Sequence, residues 1–399
     1  MSRNTGLNNS SLKQQNRGLL LKLIATNQCN TRVDLAKASQ LTKMSVTNIV
    51  SEFMDNGLVE EHPIADTTKM QDRIGVGRNP ILLEISSQAP TVMGVLINRE
   101  FCSSVLCDLK LKILKQETIK AEEWDKDSLV QAVFDLIERV KKGSKHVVGI
   151  GIGSIGPLDL ENGIILNPPN FYGIQNVPIV ELVKENFGIP TYLDNQYNCA
   201  ALAEKYYGFG ARYQDFIFLG ITNGIGSGII SGGSLYRNAS GLASEIGHIS
   251  IDYQGNPCDC GNRGCLETYA SIHIIEKRLR DATGRSLSFE EFCECCNEKE
   301  VDEILADMME KISFGLVSAV NMLSPQAIIL GHEGVFLPDK YLSMLQSQIN
   351  ERKISRNYAY TDVIRPYFGS TSHLVGSACL IMNEMFRGKI LFDEKDIKI

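Results

Sequence analysis

The sequence predicts an α/β protein: a small helical head carrying a two-stranded wing, then two related α/β lobes with a cleft between them. Three observations predict it. The stretch TRVDLAKASQLTKMSVTNIVSEFMDNGLVEE (31–61) reads as two closely spaced helices and a strand, short β-rich runs begin at residue 91, and their order recurs after residue 214. At 399 residues and 43% hydrophobic content the chain exceeds one ordinary core, so two or three domains are expected.

Composition narrows the function classes. No apolar run approaches the roughly 20 residues of a membrane span, and MSRNTGLNNS lacks the basic-then-apolar order of a signal peptide. No membrane partner is expected, and the cytoplasm is the expected location. The 11 cysteines are odd in number and bunched, which suggests metal ligands and buried thiols, not a disulfide framework. Net charge is −7, yet residues 1–80 carry ten Lys/Arg against seven Asp/Glu, a net +3 that leaves −10 for the remainder. A basic head on an acidic body fits a DNA-binding segment attached to an enzyme-like domain.

In the head, Thr31 followed by Asp34 marks a helix start, Leu35 and Ala36 give it an apolar face, and Thr42 caps a second helix. In that second helix Val46, Ile49, Val50 and Phe53 recur at helical spacing and face inward. Lys43, Ser45, Thr47, Asn48 and Ser51 are left on the outer face. Asn56-Gly57 ends it, and an earlier helix through Leu20, Leu23 and Ile24 completes a three-helix core. LVEE and NPILLEI then read as strands joined by the polar tip GVGRNP. The order resembles a winged helix-turn-helix whose second helix enters the major groove of double-stranded DNA. Thr42, Lys43, Ser45, Thr47, Asn48 and Ser51 are the candidate contacts, with Arg78 at the wing tip reaching minor groove or phosphate. The competing reading is a module that contacts another protein.

In the body, TVMGVLIN, FCSSVLCDL and KILKQETIK are strands, SLVQAVFDLIERVKK a helix and HVVGIGIG a buried strand. DFIFLGIT, GSGIIS, SLYRN and PQAIILG repeat the order. Gly151, Gly153 and Gly156 spell G-x-G-x-x-G, but Pro157 and the turn-bearing LDLENGIIL make a hairpin follow, where a dinucleotide fold needs a helix. Gly224, Gly226 and Gly228 likewise run into a strand. Such glycines let backbone amides approach a ligand, as in actin-like sugar kinases, or simply serve tight turns.

CDCGNRGC (258–265) spaces three cysteines C-x-C-x4-C, and His248 of SEIGHIS stands upstream. Cys258, Cys260, Cys265 and His248 make a Cys3His set, the closed composition of a structural Zn2+ site with no vacancy for a reactive water. With E-x-G-H at Glu245–His248 and C-x-C-G-x-x-G-C-x-E at Cys258–Glu267, behind a winged helix, the chain resembles the ROK family (repressor, ORF, kinase). It is similar in particular to that family's xylose-type and N-acetylglucosamine-type sugar repressors.

The resemblance implies a two-lobed actin-like (ribonuclease H-like, sugar kinase-type) ATPase fold. The implied units are a winged helix over 1–86, a first lobe over 90–195 plus 372–399, and a second lobe with the zinc loop over 196–371. It implies zinc on His248 and the three cysteines, and places Asn170, Asn195, Gln196, Glu245, His248 and Glu267 around sugar hydroxyls. Carboxylates and amides suit adjacent hydroxyls, which they can pair on both donor and acceptor sides. It also implies a homodimer or homotetramer.

Against the family's kinases the chain departs three times. A kinase needs a base, the aspartate of an Asn-Asp-x-Asn run; here Asp194-Asn195-Gln196-Tyr197-Asn198 puts Gln196 at that position, and an amide cannot take a proton. The first phosphate loop reads GVLINREF, with Leu96, Asn98 and Arg99 in place of acid and glycines. The adenine turn reads Gly331-His332-Glu333-Gly334. The expected function is a sugar-responsive repressor with no catalysis and no ATP requirement, its effector a sugar or phosphosugar; the alternative is a hexose kinase with a regulatory head.

Other residues have bland expectations. Cys293, Cys295 and Cys296 fall in apparent helix as buried thiols, Cys102, Cys107 and Cys199 in the core, and Met308, Met309 and Trp124 in packing. His332 lines the nucleotide cleft or is solvated, and residues 372–388 form an amphipathic helix returning to the first lobe.

Overall fold

The computed structural model describes residues 9–63, 81–144, 146–237 and 244–390. The head is built from α1 (Asn9–Ala25), α2 (Arg32–Ser39) and α3 (Lys43–Asp55), then the antiparallel pair β1 (Val59–Pro63) and β2 (Ile81–Ile85). Both helix starts follow from the sequence chemistry: Thr31 Oγ1 accepts from Asp34 N–H and Thr42 Oγ1 from Ser45 N–H, each at 3.1 Å. Leu20, Ile24, Leu35, Val46, Val50 and Phe53 are buried together.

The first lobe holds β3 (Thr91–Ile97), β4 (Phe101–Cys107), β5 (Ile113–Lys120), α4 (Lys126–Lys141), β6 (Val147–Ser154), the hairpin β7 (Leu158–Asp159) and β8 (Ile164–Ile165), α5 (Ile179–Phe187) and β9 (Thr191–Asn195); α6 (Gln196–Tyr207) follows at the join and packs on both lobes. Its sheet runs β5-β4-β3-β6-β9, antiparallel on one side of β3 and parallel on the other. The second lobe holds β10 (Phe216–Ile221), β11 (Ile225–Ser231), β12 (Ser234–Leu235), α7 (Glu267–Ala270), α8 (Ile272–Thr283), α9 (Phe289–Glu294), α10 (Lys299–Leu323), β13 (Ala327–His332), α11 (Asp339–Arg352) and β14 (Asp362–Ile364). The chain closes on α12 (Ser372–Phe386). The second sheet, β12-β11-β10-β13-β14, repeats the topology of the first. Central strands β6, β10 and β13 are buried along their whole length, as apolar strands covered on both faces must be; edge strand β5 alternates.

Helix α12 departs from the amphipathic expectation. Fourteen of its fifteen residues are buried, because the first sheet covers one side, α6 another and α1 its end. Its approach to the sheet explains the glycines that looked like a dinucleotide motif: a Cβ on Gly151 would run into the carbonyl oxygen of Ser377, and Gly153 faces the Ser377 side chain. On the other lobe Gly226 and Gly228 make room for Tyr197 of α6. Gly156, Gly224 and Gly226 of the two runs also line a cavity. Gly151→Ala is therefore expected to destabilise the protein by about 3 kcal/mol, since the obstacle is backbone and cannot rotate away; a urea-unfolding midpoint unchanged from wild type would contradict this.

Head and body share one continuous apolar core that joins Leu20, Leu35 and Phe53 to Leu374, Met385 and Phe386. Cys102, Cys107 and Cys199 are buried, as are Met308 and Met309. The Cys293 cluster straddles the end of α9 instead of lying within a helix: Cys293 is buried, and Cys295 and Cys296 are half-buried in the turn that follows. Among the described residues no helix is long and apolar enough to cross a membrane.

Candidate functional site: an interlobe cavity, a thiol cluster and a polar helix face

The junction of β9 and α6 builds one wall of the main cavity. Asn195 leaves the strand and caps the helix, its Oδ1 accepting from Tyr197 N–H at 2.9 Å. Asp194 points the other way. It is fully buried, ion-paired with Arg237, and accepts from Asn198 Nδ2 at 2.9 Å and Asn195 N–H at 2.8 Å. Gln196, the first helical residue, is 3% exposed and lines the cavity; its Oε1 has no hydrogen-bond partner among the described residues.

The cavity measures about 370 Å³ and brings together Asn170, Asn195, Gln196, Glu245, His248 and Glu267, drawn from four separate chain segments. That volume lies within the range of small-molecule sites, about 300–1,000 Å³. Desolvation by the cavity walls raises the Glu245 carboxyl above its ordinary range; Glu267 adds to this and His248 opposes it. Sequence reasoning saw Arg99 only as a lost acid, yet it forms part of the rim. Its Nε and Nη2 donate to the Pro169 carbonyl at 3.2 and 3.1 Å, beside Asn170, whose φ of 53° is tolerated best by asparagine or glycine. Trp124 is buried as expected, and its Nε1–H also donates to the Arg99 carbonyl at 2.9 Å, which fixes the turn.

Beneath the cavity lies the thiol cluster. Leu266 N–H donates to Ile249 O and Ile251 N–H to Gly264 O, folding residues 249–266 back on themselves. One ligand atom each from His248, Cys258, Cys260 and Cys265 then falls within 4.8 Å of the others. Cys260 and Cys265 Sγ are 3.6 Å apart, and Cys258 Sγ is 3.7 Å from His248 Nδ1. A tetrahedral metal with sulfur at roughly 2.3 Å separates its ligands by about 3.8 Å, so the four could hold a metal ion. Glu267 Oε1 sits beside the cluster, 3.4 Å from His248 Nδ1 and 3.3 Å from Cys258 Sγ.

A second set of polar groups faces an adjoining cavity. His332 proves not to be solvated and has no hydrogen-bond partner among the described residues: it is 5% exposed and stacks on His373 with ring centroids 4.3 Å apart and planes 17° from parallel. Burial, then His373, holds His332 well below the usual histidine range; burial alone brings His373 down to about 4, and burial raises Glu333 to about 6. For the histidines the unfolded chain takes protons first, so stability is complete above pH 6.5 and falls as pH drops through about 4. Glu333 acts in the opposite sense between about 6 and 4.5, offsetting part of one histidine's effect. The urea midpoint is expected to fall between about pH 7.5 and pH 5, and to fall less in a His332→Asn/His373→Asn variant; equal losses would contradict it.

On the head, Thr42, Lys43, Thr47, Asn48 and Ser51 are exposed, and Ser45 is half-buried. The hydroxyls are not equivalent. Thr42 and Ser45 meet each other at 2.9 Å in the helix cap and Thr47 donates to the Lys43 carbonyl at 2.9 Å, whereas no side-chain hydrogen bond engages Asn48 or Ser51 among the described residues. Met44, which sequence reasoning passed over, is 71% exposed opposite the buried stripe. Arg78 and the wing tip lie outside the described residues.

Residues 92–384 match the model of the ROK family. The chain belongs to the ROK family. It is 30% identical over 399 residues to the xylose repressor of Caldicellulosiruptor bescii, spanning 95% of this chain and 98% of that protein. The crystal structure of a ROK family transcriptional regulator homologous to the E. coli MLC protein superposes with a TM-score of 0.80 at 25% identity, over 95% of this chain and 98% of its own. The ROK hexokinase from Thermus thermophilus superposes with a TM-score of 0.62, also at 25% identity, over 72% of this chain and 97% of its own. This ROK chain therefore has a two-lobed, kinase-like body, and its similarity to the regulators runs nearly end to end.

Proposed function

We propose that the protein is a DNA-binding transcriptional repressor of sugar-utilisation genes, whose interlobe cavity binds a sugar without phosphorylating it. The observation that carries this reading is Gln196. A buried amide that lines the cavity, with an oxygen lacking a hydrogen-bond partner among the described residues, is suited to a ligand hydroxyl, and it cannot act as the base a kinase needs at that position. Asp194 is held by Arg237 on the other side of the strand and does not line the cavity. Asn170, Asn195, Glu245, His248 and Glu267 supply the remaining hydroxyl partners. The near end-to-end similarity to repressors supports the regulatory reading over the hexokinase one.

His248, Cys258, Cys260 and Cys265 would hold Zn2+ as a closed structural site, and the metal would supply folding energy to the loop that aims Glu267. With Nδ1 of His248 toward the thiols, Nε2 is left on the opposite side of the ring. Lys43, Asn48 and Ser51 form the centre of the DNA-facing set, Thr42, Ser45 and Thr47 orient its backbone, and Arg78 extends it.

A physical route links the two ends. Helix α6 starts in the cavity at Gln196, and near its other end Tyr206 lies under Lys22 of α1 at 5.6 Å and donates to Asn383 Oδ1 at 2.9 Å. A sugar that favours one lobe arrangement thus moves the seat of the head, which alters DNA affinity only if two heads must match half-sites about 34 Å apart. A homodimer or homotetramer in the cytoplasm satisfies that need.

The test is a thermal-shift screen of free and phosphorylated sugars, followed by salt-dependent retention of genomic DNA fragments with each hit and by ATP turnover measured with each. Sugar-dependent DNA release without ATP consumption is expected. Brisk ATP turnover with any monosaccharide would overturn the reading in favour of the kinase, and retention of no DNA would favour a protein-contact head.

A further inference from the structure

The second cavity, about 250 Å³, adjoins the first across Arg99 and Asn223, which line both. It is the site that His332, Glu333 and His373 face. Both ring nitrogens of His332, Nδ1 of His373 and Oε2 of Glu333 are buried with no hydrogen-bond partner among the described residues. Orphaned polar atoms of this kind are rare in folded proteins, and the three residues that carry them line one cavity, which asks for an occupant. His332 is also held at φ +56°, a conformation costly for a side chain of its size, which keeps its ring between Tyr197 (5.2 Å) and His373.

The chemistry of the lining selects the occupant. A neutral imidazole offers one N–H donor and one acceptor, and a hydroxyl answers both. A phosphate offers only acceptors and would meet the carboxylates of Glu100 and Glu333. The Arg99 guanidinium, the nearest cation, is engaged by the Pro169 carbonyl. Phe101 and Phe336 add apolar faces against which a sugar ring can lay its C–H groups.

We propose that this second cavity holds a neutral hydroxylated ring linked to the sugar in the first, so that the effector is a disaccharide or related glycoside. The proposal rests on the sugar-binding reading of the first cavity. It gives the positions where the family's kinases handle a nucleotide a different use in this chain.

Titration calorimetry on the full-length protein tests it, with a panel of neutral hexose and pentose disaccharides, their component monosaccharides and the corresponding 6-phosphates. At least one disaccharide is expected to bind about tenfold or more tightly than either of its components. Ser370→Trp, on the exposed wall of the second cavity, is expected to remove that advantage while leaving monosaccharide affinity within about twofold; His332→Asn should weaken the disaccharide about tenfold. Monosaccharides or their phosphates binding as well as every disaccharide would overturn the proposal and leave the sugar-binding reading intact, as would a disaccharide advantage that survives Ser370→Trp. No binding by any sugar would sink both.

Discussion

Replacing Cys265 with serine is expected to empty the thiol cluster of metal, loosen residues 249–267 and weaken sugar binding by more than about 100-fold. Cys265 is fully buried, and serine cannot supply the thiolate that a four-ligand site requires. With the clamp gone, two cavity residues lose their support together: His248, a member of the cluster, and Glu267, two residues beyond Cys265 and in contact with Cys258. Losing two hydroxyl partners at about 1.5–3 kcal/mol each accounts for the expected affinity change. Metal removal that costs about 4 kcal/mol should lower Tm by roughly 6 °C in a body of this size. Metal content by atomic absorption should fall from one per chain to near zero, whereas Cys295→Ser, outside the cluster, leaves it unchanged. A Cys265→Ser protein that keeps both its metal and its sugar affinity would refute the account.

Gly18→Val is expected to leave DNA affinity within a few-fold of wild type but to abolish its dependence on sugar. A Cβ at Gly18 would collide with the Phe386 carbonyl oxygen and stand 2.8 Å from Gly388 N, so α1 cannot stay seated on the end of α12. The obstruction is backbone on backbone, which no rotamer relieves. The head's internal packing of Leu35, Val46, Val50 and Phe53 does not involve that contact, so the DNA-facing helix should persist. Coupling is a difference in contacts between two states, and removing the contact removes the difference. In fluorescence anisotropy the ratio of DNA affinities with and without sugar should approach one. A ratio equal to that of wild type would show that the signal travels by another path.

Local chemistry explains why much of this was legible in the chain. The caps at Thr31 and Thr42, the inward stripe of α3, the hairpin after Gly156 and the C-x-C-x4-C spacing each depend on residues a few positions apart, where backbone geometry links sequence to shape directly. The repeated strand order was readable for the same reason. Cavity membership was reached through family motifs, and the structure brings Asn170, Asn195, Gln196, Glu245, His248 and Glu267 to one cavity.

Contacts between distant segments were not legible. Gly151 and Gly226 read as ligand-loop glycines because nothing nearby in sequence reveals α12 or Tyr197 pressing on them. Helix α12 reads as amphipathic because periodicity reports how many apolar residues a helix has, not how many neighbours surround it. His332 reads as a loop histidine until β13 and α12 set it against His373, some forty residues on. The sequence by itself determined the elements, their caps, the four residues of a cluster that could hold a metal, and an amide, Gln196, at the first position of α6. Only the tertiary structure decided which glycines serve packing, where the head is seated and that a second cavity lined by unpaired imidazoles adjoins the first. Those outcomes depend on the spacing between packed surfaces, a property of the folded whole that no short stretch of chain encodes.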